Sequence, residues 1–460
     1  MEGDVLSGRR DGVILWPTFE ILAWKIQPMT NLADRIESII RRDAPPLALR
    51  LGDDVVWPRY DGYSIANLPA TFAAILGAQM PAPSLPPLPA ELWHDVAGGA
   101  RRVVFVLIDA LGYRRFRRVL DAEADSGWRP LLDRGQFFPL TSVFPSTTVA
   151  ALSSLWTGLA PSQHGYLGTR LFLREVGAVA DMISLKLAVK GTPGQLLDMG
   201  LEPEKFLPAP NLAEVLKSAG VAVYDLLQYS LVRSGLTRIL HRSVDKLIPF
   251  VAASDMWVTL RRVLASAGDQ PMYIYAYHAP ADGISHHYGP GDEALDAELR
   301  AFVYSMRTEF LDRLSPQARA GTLLVIGADH GQIITPKPSA IELHKWPVWN
   351  DLVMMPTSEA RIAYAHVRAG RTQAFRDGVC RDLPGKLMVM DTREALDAGL
   401  WGPGPLYPET RSRLGDLLLL ATGNGWLADP TGQMPEFKGM HGGLTSEEML
   451  VPLLWLRLDG

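Results

Sequence analysis

Asp109, Asp282, Asp329, His286, His330 and His441 are the side chains whose types and settings could do chemistry together. Asp109 ends an apolar run, Val103-Val-Phe-Val-Leu-Ile, and opens Asp-Ala-Leu-Gly112. Asp329-His330-Gly331 ends a second run, Thr322-Leu-Leu-Val-Ile-Gly-Ala. Asp282 and His286 follow a third, Met272-Tyr-Ile-Tyr-Ala-Tyr277, and His441 sits in Gly439-Met-His-Gly-Gly. Each has an ordinary alternative. Asp109 and His330 could cap helices, Asp282 and His286 could pair within a loop, and His441 could pack on a strand. Yet the chain has only ten histidines, and three of them fall in glycine-flanked loops beside apolar runs. Mixed carboxylate and imidazole donors suit zinc, with manganese or iron as alternatives. Six donors are too many for one tetrahedral ion. Two divalent ions about 3.5–4 Å apart fit better, and such pairs suit phosphoryl transfer.

A seventh element is the hydroxyl cluster Ser146-Thr147-Thr148 after Phe144-Pro145. Val149, Leu152 and Leu155 then recur at helical spacing, and Gly158 and Pro161 end the helix. A hydroxyl at a helix N-terminus is commonly a cap. The same place, with free N–H groups and the helix dipole, favours an alkoxide or a phosphate.

The elements that must position these groups read as an α/β fold, a doubly wound, mostly parallel sheet flanked by helices. Continuous apolar runs indicate buried parallel strands, and ligands bind beyond the carboxyl ends of such strands. Residues 103–108, 222–227, 272–277, 322–328 and 449–456 are the expected core strands, and 293–314 a long helix. Residues 1–90 read as an N-terminal helical extension with a proline-rich linker over 79–90. Residues 91–344 and 436–460 form the expected core, and 345–435 an α/β cap-like insertion. That insertion and residues 166–210 are expected to line the substrate pocket. Trp346, Trp349 and the tyrosines of 273–277 could stack a base, although core packing is the commoner role for such side chains.

Composition narrows the function classes. Length, at 460 residues, calls for more than one lobe. A net charge of −5 gives no indication of nucleic-acid binding. No stretch of 18 apolar residues exists to span a membrane. Cys380 is the only cysteine, so no internal disulfide forms and a reducing, cytoplasmic location is expected. Met29, at the head of a well-patterned helix over 29–42, is an alternative start. No feature specifies an oligomeric state.

Five stretches, in order, resemble the alkaline phosphatase superfamily, and within it the type I phosphodiesterases and nucleotide pyrophosphatases. They are Val106-Leu-Ile-Asp-Ala-Leu-Gly112, Phe144-Pro-Ser-Thr-Thr148 with Thr157-Gly-Leu-Ala-Pro-Ser-Gln-His-Gly165, Asp282-Gly-Ile-Ser-His-His-Tyr-Gly-Pro290, Ile326-Gly-Ala-Asp-His-Gly331 and Met440-His-Gly442. The resemblance implies a small-molecule phosphoester or nucleotide substrate, two divalent metal ions and a phospho-threonine intermediate. By position it makes Thr148 the nucleophile, with Ser146 and Thr147 as second choices. It assigns Asp109, Asp329, His330 and Thr148 to one metal and Asp282, His286 and His441 to the other. One departure stands out. The pyrophosphatases place a phosphate-holding Asn where this chain has Thr169, followed by Arg170. Both are therefore candidate phosphate contacts, and an Arg there would favour a doubly charged monoester. The last motif also resembles cofactor-independent phosphoglycerate mutases and phosphatase-like domains of phage-defence proteins. A phosphomonoesterase or phosphomutase, and a phosphatase-like binding protein, are thus the alternative functions. No sulfatase Cys/Ser-x-Pro-x-Arg pattern is present.

Overall fold

The structure is a computed structural model that describes residues 32–42, 44–122, 127–207, 209–432 and 436–459. The alternative start at Met29 lies outside the described residues. The helix expected after it runs Leu32–Arg41 and buries Ala33, Ile36 and Ile40 against the edge strand Gln136–Thr141.

Seven strands make the central sheet. Across it they lie in the order 136–141, 450–457, 322–327, 102–108, 272–278, 222–228 and 246–250. The last five in that row are parallel to one another, and only 450–457 runs antiparallel to its neighbours. Arg102–Ile108 is buried at every position, as its unbroken apolar text requires. Leu107 pairs with Gly327 on one side and with Tyr277 on the other. This register brings Asp109, Asp329 and the start of the helix Pro280–Tyr288 to one edge of the sheet. The two outermost strands, Gln136–Thr141 and Lys246–Phe250, were not expected from sequence. Each carries a proline, Pro139 or Pro249, which weakens a strand signal and is tolerated at a sheet edge.

A second, antiparallel sheet lies over that edge. Its order is 387–391, 417–421, 362–365, 357–358, 170–173, 178–181 and 186–187. Four strands come from the stretch 345–435 and three from 166–210, joined where Ser358 pairs with Arg170. Beneath it, Phe375 and Val379 of the helix Thr372–Asp382 pack with Leu417 and Leu419 in a small core of their own.

One buried ion pair ties this sheet to the central one. Arg361, 1% exposed, donates through Nε to Glu448 Oε1 at 3.1 Å, and Glu448 is fully buried. The same Oε1 accepts from the backbone N–H of Gly443, two residues after His441. Removing one partner of a buried pair strands the other charge and costs about 3–5 kcal/mol. Arg361→Met is therefore expected to lower unfolding stability by about that much, read from denaturant melts.

Candidate active site

The hydroxyl helix runs Thr148–Thr157 and ends at Gly158, whose φ of 67° is the left-handed geometry glycine adopts freely. Thr147 occupies the N-cap position, but its side chain makes no capping hydrogen bond. Thr147 Oγ1 donates instead to Glu359 Oε1 at 2.9 Å, and Ser146 Oγ to Gly443 O at 2.8 Å. Thr148, in the first turn, points its Oγ1 at His330 Nε2, 3.1 Å away.

Around that hydroxyl the three strand-edge groups converge. His330 Nε2 is 3.5 Å from both Asp109 Oδ1 and Asp329 Oδ2. Asp329 Oδ1 is taken up by the backbone N–H groups of Ala110 and His330, each at 3.0 Å. Tyr277 donates its hydroxyl to Asp109 Oδ2. Asp109 Oδ1 and Asp329 Oδ2 are left buried with no hydrogen-bond donor. An orphaned buried carboxylate oxygen is costly unless something positive meets it.

Asp282 and His286 were expected in a loop. They lie instead four residues apart on the helix Pro280–Tyr288, where that spacing puts both on one face. Asp282 Oδ1 is 3.3 Å from His286 Nε2 and 3.8 Å from His441 Nε2. The His441 ring stacks on His330 with centroids 3.9 Å apart. Ligand atoms from Asp282, His286 and His441 fall close enough together to hold one ion, and those from Asp109, Asp282 and His330 another.

The histidines are oriented alike. His286 Nδ1 faces Gly439 O at 2.7 Å, His441 Nδ1 faces Ser146 O at 3.1 Å, and His330 Nδ1 faces Gly331 O at 3.2 Å. A carbonyl only accepts, so in neutral imidazole the proton sits on Nδ1 and the Nε2 lone pair faces the cluster. This is the arrangement that orients a histidine ligand. Burial, and then the neighbouring His330 and His441-facing His286, hold the His441 pKa well below the usual imidazole value. Burial, and then the charges of Asp329 and Asp282, raise the Asp109 carboxyl well above the usual carboxylate range.

The donor set thus fits divalent cations, and with the Asp109 carboxyl raised by burial and by Asp329 and Asp282, their uptake is expected to release a proton. A raised pKa favours the protonated, metal-free form below it, so affinity is expected to increase with pH as that proton is lost. Calorimetric titrations with zinc, in buffers of different ionisation enthalpy, should show proton release into solution.

Thr169 and Arg170 face the same cleft, about 480 Å³, as Thr148, Asp282, His286 and His441. Thr169 donates its backbone N–H to Glu359 Oε1 at 2.6 Å. Arg170 is ion-paired with Asp429 at 3.1 Å. Trp349 lines the cleft, whereas Tyr273 and Tyr275 are core residues and Tyr277 serves Asp109. A smaller cavity of about 210 Å³ opens on the other side of Thr148 between Leu152, Leu227, Leu236 and Tyr275. Sequence reading missed Gln332, whose amide donates to Asp282 Oδ1, although its place after Asp-His-Gly was a usable signal. It also missed Glu359, which no local pattern marks. Burial raises the Glu359 carboxyl, against the pull of the Thr169 and Thr147 hydrogen bonds and the Arg170 charge.

A central sheet with carboxylates and imidazoles at its strand edge, facing a hydroxyl at a helix start, defines a hydrolase of the alkaline phosphatase superfamily. Residues 103–444 match the type I phosphodiesterase / nucleotide pyrophosphatase family, and the chain belongs to it. That family depends on two metal ions. No curated protein matches significantly. Among solved structures, the murine ectonucleotide pyrophosphatase / phosphodiesterase 5 is similar at 16% identity and a TM-score of 0.59, covering 76% of this chain and 87% of its own. An inactive threonine-to-alanine form of that protein is known in complex with AMP. Phosphonoacetate hydrolase from Sinorhizobium meliloti 1021, in complex with phosphonoformate, is similar at 20% identity and a TM-score of 0.56, covering 77% and 90%. At these identities the likeness is one of fold.

Proposed function

We propose that this enzyme cleaves phosphodiester or pyrophosphate bonds of a small nucleotide-like substrate through a phospho-threonine on Thr148. The observation that carries the reading is Thr148 Oγ1 at 3.1 Å from His330 Nε2, beside two orphaned carboxylate oxygens. Two divalent ions, zinc by donor chemistry with manganese as the alternative, would supply Lewis acidity to the reacting oxygens. Asp109, Asp329, His330 and Thr148 would hold one, and Asp282, His286 and His441 the other. Thr148 Oγ1 attacks phosphorus, the P–O bond to the leaving group breaks, and the phosphoryl group is carried on the threonine until water replaces it. Tyr277 and the N–H groups of Ala110 and His330 fix the carboxylates, and the three carbonyls at Nδ1 fix the imidazoles. Thr169 and Arg170 stand at the cleft wall and would contact the phosphoryl group or its substituent.

The threonine-to-alanine inactivation of the murine relative, and its AMP complex, support both the nucleophile and a nucleotide substrate class. In domain terms, 91–344 with 436–460 would be the catalytic core and 345–435 the cap that contributes the cleft's outer wall. No helix among the described residues is long and apolar enough to cross a membrane, and the one cysteine, Cys380, is free and exposed. These features are compatible with the proposed cytoplasmic location. The test is hydrolysis of bis(4-nitrophenyl) phosphate and of a dinucleoside pyrophosphate by zinc- and manganese-loaded enzyme. Turnover of at least one is expected, and failure on both with both metals contradicts the reading.

A further inference from the structure

Glu359 is a half-buried acid lining the cleft that the mechanism above does not use. It is held there with some strain. Ser358 immediately before it has a φ of 88°, a region a serine rarely adopts, and its Oγ donates to Leu167 O at 3.1 Å. Gly442, beside His441, has a φ of 118° that disfavours a side chain, and a Cβ there would stand in tight contact, 3.0 Å from the Glu359 Cβ. The carboxylate is thereby wedged between the hydroxyl helix, the strand that begins at Arg170 and the His441 loop.

Its protein partners are donors. Thr147 Oγ1 and Thr169 N both donate to Oε1, and these donors favour the ionised form against the burial that raises the carboxyl. No ion pair reaches Glu359 among the described residues, and the nearest candidate cation, Arg170, is committed to Asp429. Arg170 with Asp429 is neutral as a pair, so Glu359 adds a net negative charge to this wall of the cleft. Thr147, its hydrogen-bond partner, is the immediate neighbour of Thr148. Thr148 and Glu359 line the same cleft, so a second negative charge on a phosphoryl group bound at Thr148 would face that carboxylate, and like charges repel.

We infer that Glu359 is a specificity-determining residue, which selects singly charged phosphodiesters and disfavours doubly charged phosphomonoesters at the same site. The inference rests on the proposed hydrolase reading and refines its substrate class. It also reverses the sequence-based expectation that an Arg at 170 would favour a monoester.

The test compares kcat/KM for 4-nitrophenyl phosphate and methyl 4-nitrophenyl phosphate at pH 8, where the monoester is a dianion, in wild type, Glu359→Gln and Glu359→Asp. Glutamine keeps an acceptor for Thr147 and Thr169 and removes the charge. The monoester-to-diester ratio is expected to rise on the order of tenfold in Glu359→Gln and to return toward wild type in Glu359→Asp. An unchanged ratio, or equal loss on both substrates, overturns the inference while leaving the hydrolase reading intact. Absence of turnover on both substrates in wild type would instead overturn the hydrolase reading, and this inference with it. If the Gln variant does not melt cooperatively, Glu359→Asn compared with Glu359→Asp decides. That pair differs only in charge at equal size, so the monoester-to-diester ratio should be higher in Glu359→Asn than in Glu359→Asp, and equal ratios overturn the inference.

Discussion

Thr148→Ala is expected to lower kcat on a nitrophenyl diester by at least about 10³-fold, because the group that forms the covalent bond is gone. The fold should hardly notice. The Thr148 hydroxyl makes one side-chain hydrogen bond, to His330, and a bond of that kind contributes about 1 kcal/mol. Alanine also favours the helical conformation at the first turn. Wild-type-like melting with abolished turnover therefore separates loss of the nucleophile from loss of structure. Thr148→Ser keeps the attacking oxygen and should retain measurable activity. The neighbouring Thr147 is not a substitute, since its hydroxyl is turned away to Glu359. Turnover in Thr148→Ala comparable to wild type would remove Thr148 from the mechanism.

The second large effect is expected on removing the metals. Three carboxylates converge on the stacked His330 and His441 rings, Asp109 and Asp329 at 3.5 Å from His330 Nε2 and Asp282 at 3.8 Å from His441 Nε2, and two of their oxygens are buried without a donor. Chelator-treated protein should lose activity by at least about 10³-fold and recover it on adding zinc or manganese. Asp329→Ala sharpens the test, because it removes one orphaned oxygen and also the acceptor that Ala110 and His330 share. Bound metal measured by plasma mass spectrometry should fall from two ions per chain toward one, with activity lost in parallel. Full activity in protein stripped of metal would contradict the assignment of these six side chains.

Much of this site was legible because its parts stand at the ends of unmistakable strands. Asp109 and Asp329 follow apolar runs buried along their whole length, and parallel pairing in register brings such ends together. The Asp282–His286 helix was misread because Pro280 and Gly283 look like loop residues, although Pro is well tolerated in the first turn of a helix. Pro139 and Pro249 hid the two edge strands in the same way. The strands near 362–365, 387–391 and 417–421 are apolar enough to read from sequence, but 170–173, 178–181 and 186–187 are too brief for periodicity to show, so their joining to the others in one sheet was not legible. Glu359 belongs to that sheet's junction. Its place beside Thr147 depends on a pairing 188 residues apart, Ser358 with Arg170, which no local pattern encodes.

The central claim is that phosphorus becomes bonded to Thr148 during turnover. It is tested most directly by mixing metal-loaded enzyme with excess methyl 4-nitrophenyl phosphate, quenching in acid within the first turnovers, and mapping the modified peptide by mass spectrometry. The expected result is a methylphosphoryl group on Thr148 that is absent from Thr148→Ala. A competent enzyme that releases nitrophenol and yields an unmodified Thr148 at every quench time, or one modified at another residue, would contradict it.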